Sequence, residues 1–597
     1  MAMSSFLHPS LGFLVLALVL PFLRGAFWKW LLILPPLVAI WSVFSMEQGV
    51  HAILPYLGQE LVLGRVDPVS LIFAQVFAFM SLIGMVYAMH VTDKGQHIAA
   101  SLYVAGGFGC VFAGDYLTLF LFWELMSLGS VFLIFLNRTR ESTLAGFRYF
   151  LYHTIGGLFL LGGLLLRYKA TGSLAFTQII PENTAYYDWL ILFGFCVNAA
   201  VVPLHAWLPD AYPRGTVTGS VFMCAFTTKT AVYVLMRGFT GWEILAVAGV
   251  IMAVYGALYA TMENDGRRIL SYHIVSQVGF MVAGIGVGTA MTINGAAAHA
   301  YAHIIYKGLL FMSVGAVLYS AGTARLDRLG GLVGHLPWVM ILYMIAALSI
   351  SGMPLFNGFV TKTMTIAGVA EAHHTWLAMG LEIASVGTFL SVGLKLPYFI
   401  FWGKKPASAV PAGSLKPIPA NMYVAMGFAA LICVAQGLYP DMLYRYLPYQ
   451  LATPYVPWTL WHVLQALMLL GGAGLAVYLC IASGILGRHS GQNLDFDYFY
   501  RLIGRGVLAL ICKPIGWVDT IWNNVYQSVG LKALMGFALG SSAVDKTCVD
   551  GALDGSAYAV RGIGRIGAKL QNGVLQDYLA LTTVFAILVF GLVWYFG

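Results

Sequence analysis

The stretch Asn294–Ser320, NGAAAHAYAHIIYKGLLFMSVGAVLYS, decides the fold. It is apolar and longer than the roughly 20 residues a helix needs to cross a bilayer. It nevertheless carries His299, His303 and Lys307, spaced i, i+4 and i+8. On a helix that spacing stacks all three on one face, about a turn apart. A lysine at the centre of a membrane helix costs about 2.5–3.5 kcal/mol on insertion scales. Three ionisable groups in register should therefore face protein or a wet cavity, where a proton can pass from one to the next.

The rest of the chain supplies the same setting. Of its 597 residues 60% are hydrophobic and only 9% are charged, against about 25% charged in soluble domains. The composition predicts an all-α polytopic membrane protein. Sixteen spans are expected, at 11–23, 27–45, 69–91, 97–114, 115–136, 145–167, 187–209, 214–238, 243–262, 270–290, 293–320, 336–370, 376–402, 421–440, 460–487 and 577–596. Residues 11–23 read as a span rather than a signal peptide, because no Lys or Arg precedes them and no small-residue cleavage site stands out. The net charge of +8 is scattered among loops, which argues against a nucleic-acid partner. The seven cysteines form no C-x-x-C, and no phosphate loop or dinucleotide fingerprint is present. No cofactor, no metal and no intrinsic redox catalysis are expected; the driving force should come from an ion gradient or from partner subunits.

Lys and Arg crowd the loops on one side, among them Arg138, Arg140, Arg214, Arg267, Arg268, Arg325, Lys404 and Lys405, while few, such as Arg65 and Arg237, fall on the other. The crowded side is predicted to be cytoplasmic, and an even number of spans then puts both termini outside. The order of elements repeats. Spans four to eight hold a polar site on the fifth, prolines in the seventh and Lys229 on the eighth; spans nine to thirteen hold the row on the eleventh, Pro354 in the twelfth and Lys395 on the thirteenth. A five-helix offset reverses direction, so two inverted repeats with broken helices are expected. The chain then divides into N-terminal spans (1–96), a first repeat (97–240), a second repeat (241–402), further core spans (403–488), an arm (489–576) and an anchoring helix (577–597). The arm mixes charges, glycines and tryptophans without a 20-residue apolar run. It reads as an amphipathic segment on the cytoplasmic membrane face, broken near Pro514.

Several other ionisable residues fall inside spans. Glu124 lies mid-helix in LFLFWELMSLGSVFLIF with no cation near it in sequence, and a lone carboxylate there can bind and release protons. Lys229 lies in FTTKTAVYVLM, Lys362 follows the Pro354 break, and Glu382 and Lys395 lie in the thirteenth span. Lys395 is near a span end, where it can snorkel. His153, His205 and His273 read as hydrogen-bonded core histidines. In sequence order Glu124, Lys229, His299, His303, Lys307 and Lys362, with Glu382 beyond, make the acid–base series that a proton relay needs.

At these residues the sequence resembles the antiporter-like subunits of respiratory complex I and of Mrp-type cation/proton antiporters. The motifs are FLFWELMSLGSVFLI, VPLHAWLPDAYPRGTVTGSV, TKTAVYVLMR, NDGRRILSYHIVSQVGFM, HAYAHIIYKGLLFMSVGAVL and SISGMPLFNGFVTK. The core looks closest to the D subunit of Mrp complexes. The C-terminal part resembles the end of the largest complex I antiporter-like subunit, where a long lateral helix precedes a last anchoring span. The resemblance implies that Glu124 is the family's span-five glutamate, Lys229 the lysine linking two half-channels, His299, His303 and Lys307 the second half-channel, and Lys362 its exit. One position departs: a lysine usually precedes the span-seven break, and here that residue is Asn198. The resemblance implies a proton-translocating subunit, in the plasma membrane, of a multi-subunit complex that is complex I-like (an NADH:quinone oxidoreductase), hydrogenase-linked or Mrp-type. Its partners would be other membrane subunits, the lipid bilayer and protons. Sodium/proton exchange is the alternative within transport. A degenerate structural clamp, favoured by Asn198, is the alternative outside it.

Overall fold

The computed structural model describes residues 6–56, 58–406, 408–483, 493–569 and 571–597. Each of the sixteen expected spans falls on helix, and twelve described helices are long and apolar enough to cross a membrane. The other four spans are short, small-residue-rich or broken. The first is Ser10–Phe22, and the fourth is Lys94–Phe112, diluted by glycines, His97 and Lys94. The seventh stops at Asn198 and resumes as Trp207–Ala211; the twelfth runs Pro337–Ser351 and then Asn357–Glu371. Each break contains a proline, Pro203 or Pro354, and a non-glycine residue in the left-handed region, Ala200 at φ 56° or Leu355 at φ 80°. Such backbone is strained by about 1–3 kcal/mol per residue and persists only where its surroundings enforce it.

Four expectations need correction. The chain is not purely helical: Gly49–Tyr56 and Gln59–Val66 pair as an antiparallel hairpin through a turn with Gly58 at φ +76°. Pro55 and the charges of Glu60 and Arg65 disfavour a membrane helix here, and the second strand is partly buried, at Leu61, Gly64 and Val66. Asp115 ties the hairpin to the fifth span, accepting from Val62 N at 2.7 Å while capping Thr118 N at 2.7 Å. The eighth span is also broken, into Val217–Met223 and Thr227–Gly238, although neither Pro nor Gly marks the gap. The arm is not broken at Pro514, which lies inside the helix Asp497–Val525. A proline removes one hydrogen bond and bends a helix without having to end it. Lys395 does not snorkel; its ammonium is buried and donates to the carbonyls of Thr261 and Glu263, both at 2.7 Å.

Over their first three spans, 94–175 and 244–325, the two repeats are related by an offset of 150 residues. Asp115 and Asp265 start the fifth and tenth spans, and each bridges antiparallel to the loop after the next span, at Ala175 and Arg325. Gly172 and Gly322 end the sixth and eleventh spans in the left-handed conformation, at φ 70° and 74°. The packing repeats as well. A methyl on Gly106 would meet Met126 N at 2.6 Å and one on Gly256 would meet Ser276 N at 2.6 Å; methyls on Gly129 and Gly279 would likewise stand 2.6 Å from Tyr103 N and Ala253 N. In each repeat two helices thus approach to backbone contact at glycines, the close approach that drives helix association in lipid.

Residues up to Asp497 form one compact unit and those from Tyr498 a second. The second unit consists of helix continuing to Lys569, with π-helical turns at Tyr526–Leu531 and Asp545–Val549, followed by Leu575–Phe596. The run from Asp497 to Lys569 is on the order of 110 Å long at 1.5 Å per residue. The sequence-based boundary between core and arm, 488/489, lies outside the described residues, as do 484–487 at the end of the fifteenth span.

Candidate functional site: a buried row of histidines and lysines

The eleventh span, Ala290–Ala321, is enclosed by the tenth, the twelfth and the third spans, and its His299, His303 and Lys307 are all fully buried. His299 Nδ1 lies 3.1 Å from Thr361 Oγ1 on the second half of the twelfth span. Its Nε2 is 3.4 Å from the Tyr306 hydroxyl, which also donates to Gln277 Oε1 at 3.4 Å. The His299 and His303 ring centroids are 6.3 Å apart, and His303 stands edge-on to Tyr306 at 5.2 Å. Neither nitrogen of His303 nor the ammonium of Lys307 meets a hydrogen-bond partner among the described residues.

The other buried lysines are held differently. Lys229 Nζ donates to Cys224 O at 2.8 Å and Thr228 Oγ1 at 3.1 Å, so it sits in the break of its own span. Lys362 Nζ donates to Ile350 O at 2.7 Å and Ser385 Oγ at 3.2 Å and lies 5.1 Å above the Phe280 ring. With Lys395 on Thr261 and Glu263, three ammoniums each occupy carbonyls freed at a helix end, where the backbone is unsatisfied and the helix dipole is negative. Lys307 lacks that support while lying within electrostatic reach of both Lys229 and Lys362. An unsupported buried charge is costly, and among the described residues no hydrogen-bond partner of Lys307 offsets that cost.

Beyond Lys362 the row opens into a cavity of about 270 Å³ lined by Ser385, Glu382, Trp461, His462 and Gln465 among others. Glu382 accepts from Gln465 Nε2 at 2.5 Å at this cavity. Glu382, Ser385 and Lys362 thus line one cavity.

Glu124 stands apart. Its half-buried carboxyl packs against Gly157 of the sixth span, where a methyl group would collide with Oε1. No ion pair joins it to Lys229 or any other cation among the described residues. Unpartnered buried atoms cluster on the same spans: Glu124 Oε1, Ser127 Oγ, His153 Nε2 and both polar atoms of Asn198. The 150-residue offset makes His153 the counterpart of His303 and Gly157 the counterpart of Lys307. The first repeat thus has a glutamate facing a glycine where the second has a lysine. Sequence reading undervalued His153 because the repeats share register but little identity; the paired Asp115/Asp265 and Gly172/Gly322 were the signals that would have found it. Thr361, Tyr306 and Gln277 were also missed, because hydroxyls and amides between spans leave no charge pattern.

Residues 113–391 match the family model described as NADH:quinone oxidoreductase/Mrp antiporter, transmembrane. The match spans a little under half of the chain, from the start of the fifth span into the thirteenth. Among relatives, the chain is 31% identical over 321 residues to the D subunit of the Na(+)/H(+) antiporter of Alkalihalophilus pseudofirmus, covering 51% of this chain and 64% of that protein. Two solved structures share its fold at 22% identity. The Mrp complex from Dietzia sp. matches with a TM-score of 0.62, over 80% of this chain and 95% of the matched chain. The archaeal membrane-bound sulfane sulfur reductase matches with a TM-score of 0.68, over 98% of this chain and 99% of the matched one. The second match extends the shared fold through the C-terminal unit.

Proposed function

We propose that the chain is the proton-translocating membrane subunit of a multi-subunit ion-pumping complex. The observation that carries this reading is the row from His303 through His299 and Thr361 to Lys362, with an unsupported Lys307 on the same helix. His299 is within hydrogen-bond reach of Thr361 and Tyr306, and its ring lies 6.3 Å from that of His303, separations that a polar side chain or one water would bridge for proton transfer. Moving a proton through 100 mV is worth about 2.3 kcal/mol. The termini lie outside, and the arm lies along the cytoplasmic membrane face against another subunit. The exposed apolar residues of the arm, such as Leu510, Trp522 and Phe537 at 76%, 72% and 77% exposure, support that placement.

The test is proton flux into vesicles containing the purified complex. Lys307→Ala is expected to lower flux at least tenfold with the complex intact on native gels. Flux at the wild-type rate in Lys307→Ala would sink the proposal. Sodium/proton exchange is the second reading, favoured by the likeness to a protein named as part of a Na(+)/H(+) antiporter. It requires flux that depends on external Na+, and sodium-independent flux excludes it.

A further inference from the structure

The segment that leads into the arm does more than connect. Asp495 is 5% exposed and inserts into the core beside the break of the seventh span. Its Oδ1 accepts from the Tyr255 hydroxyl and its Oδ2 from the Tyr272 hydroxyl, both at 2.5 Å. His205 Nε2 approaches Oδ1 to 3.3 Å, an ion-pair distance without the alignment of a hydrogen bond. His205 is fully buried, its ring edge-on to Tyr255 at 4.8 Å and to Phe496 at 6.1 Å. Tyr259 donates to Leu494 O at 3.0 Å and clasps the backbone of the same segment. From Tyr272 the polar cluster continues to Arg268, which faces it, and then to Glu263 at 3.1 Å, whose carbonyl holds Lys395. Burial alone would raise the Asp495 carboxyl, but His205 and the two tyrosine hydroxyls hold it well below the usual carboxylate range. A buried ionised carboxylate needs a cation. Of the groups facing it, Tyr255, Tyr272 and His205, only the imidazole can become one.

We propose that His205 and Asp495 form a proton-binding station, in which the root of the arm supplies the carboxylate and the broken seventh span supplies the imidazole. The station rests on the reading of the chain as a proton-translocating subunit. It makes the arm's root part of the ion path of the first repeat. A proton bound on His205 is stabilised by Asp495, and releasing it leaves a bare buried carboxylate on two tyrosines, so occupancy of the station and the hold on the arm's root change together.

The experiment compares flux against pH in vesicles containing the intact complex. Asp495→Asn keeps the shape, with one tyrosine hydroxyl turned to accept from the amide NH2, but removes the counter-charge that a proton on the His205 ring would have. The flux profile is expected to move by about one pH unit, a tenfold change in proton affinity. His205→Gln is expected to remove the same limb of the profile, and the double variant to match His205→Gln. Tyr259→Phe, which removes the bond to the Leu494 carbonyl and a hydroxyl contact with Tyr255 but neither charge of the pair, is expected to lower the thermal midpoint and leave the profile in place. A wild-type profile in an assembled Asp495→Asn complex, or shifts that simply add in the double variant, would overturn the station. If Asp495→Asn fails to assemble, His205→Gln decides alone, with a wild-type profile again overturning it. Lys307→Ala separates the two readings. If Lys307→Ala transports normally, the proposed function falls; if it is dead while the Asp495 and His205 variants titrate like wild type, only the station falls.

Discussion

Gly157 and Lys307 occupy matching places in the two repeats, and the difference between them sets what each half can do. Lys307 brings a cation into the row; Gly157 brings only space, and the Glu124 carboxyl fills it. Gly157→Ala should therefore push Glu124 aside, costing about 1–3 kcal/mol in overpacking and lowering proton flux. Gly162→Ala, on the same helix with nothing within 4 Å, should change neither. Thermal midpoint and vesicle flux measured together check both variants. At this scale the second repeat was legible from sequence because charges at helical spacing in an apolar stretch have few explanations. The first was less so. Lys229 is buried as expected, but it serves Cys224 O across a break without a sequence signal, and no ion pair joins it to Glu124 among the described residues. Asn198, buried with both polar atoms free of partners among the described residues, marks where a lysine would have changed that geometry.

Helix ends carry much of the remaining information. The third span starts at Asp67, whose side chain accepts from Ser70 N at 2.9 Å in a capping box and also takes both guanidinium nitrogens of Arg237 at 2.8 Å. Burial opposes ionisation of Asp67, but the Arg237 hydrogen bonds and charge outweigh it, and the carboxyl is held below its usual range. A carboxylate whose folded value is depressed stabilises the fold above its unfolded value, about pH 4, and loses that contribution as pH falls through the folded value. Asp67→Asn keeps a good cap and removes the ion pair. It should cost about 2 kcal/mol at pH 7, and the gap from wild type should close below about pH 3. Thermal midpoints of the two proteins at both pH values test this. Such ties are hard to read from sequence because partners 170 positions apart meet only once the helices pack. Prolines announced the breaks in the seventh and twelfth spans; the break in the eighth, at Cys224 to Phe226, had no such residue to announce it.

For the whole molecule, sixteen helical spans, two related repeats and a helical C-terminal unit follow from hydropathy and from the order of polar sites. The hairpin at 49–66 does not, because one short pair of strands among long apolar helices leaves only a faint alternation. Among the described residues of the C-terminal unit's helices none is buried. Removing it should therefore leave the core folded. Truncation after Asp497 is expected to preserve the core's thermal midpoint in detergent within a few degrees while the complex dissociates on native gels. A complex that stays whole without the arm would show that its apolar face has another use. The unslipped register of 150 residues has an evolutionary and a practical reading. Between Ala99 and Arg325 neither half has kept an insertion or deletion that the other lacks, so the loops have been held to length along with the helices. A synthetic gene carrying residues 244–325 in place of 94–175 would meet every glycine notch in step, giving a palindromic core with the lysine row on both sides.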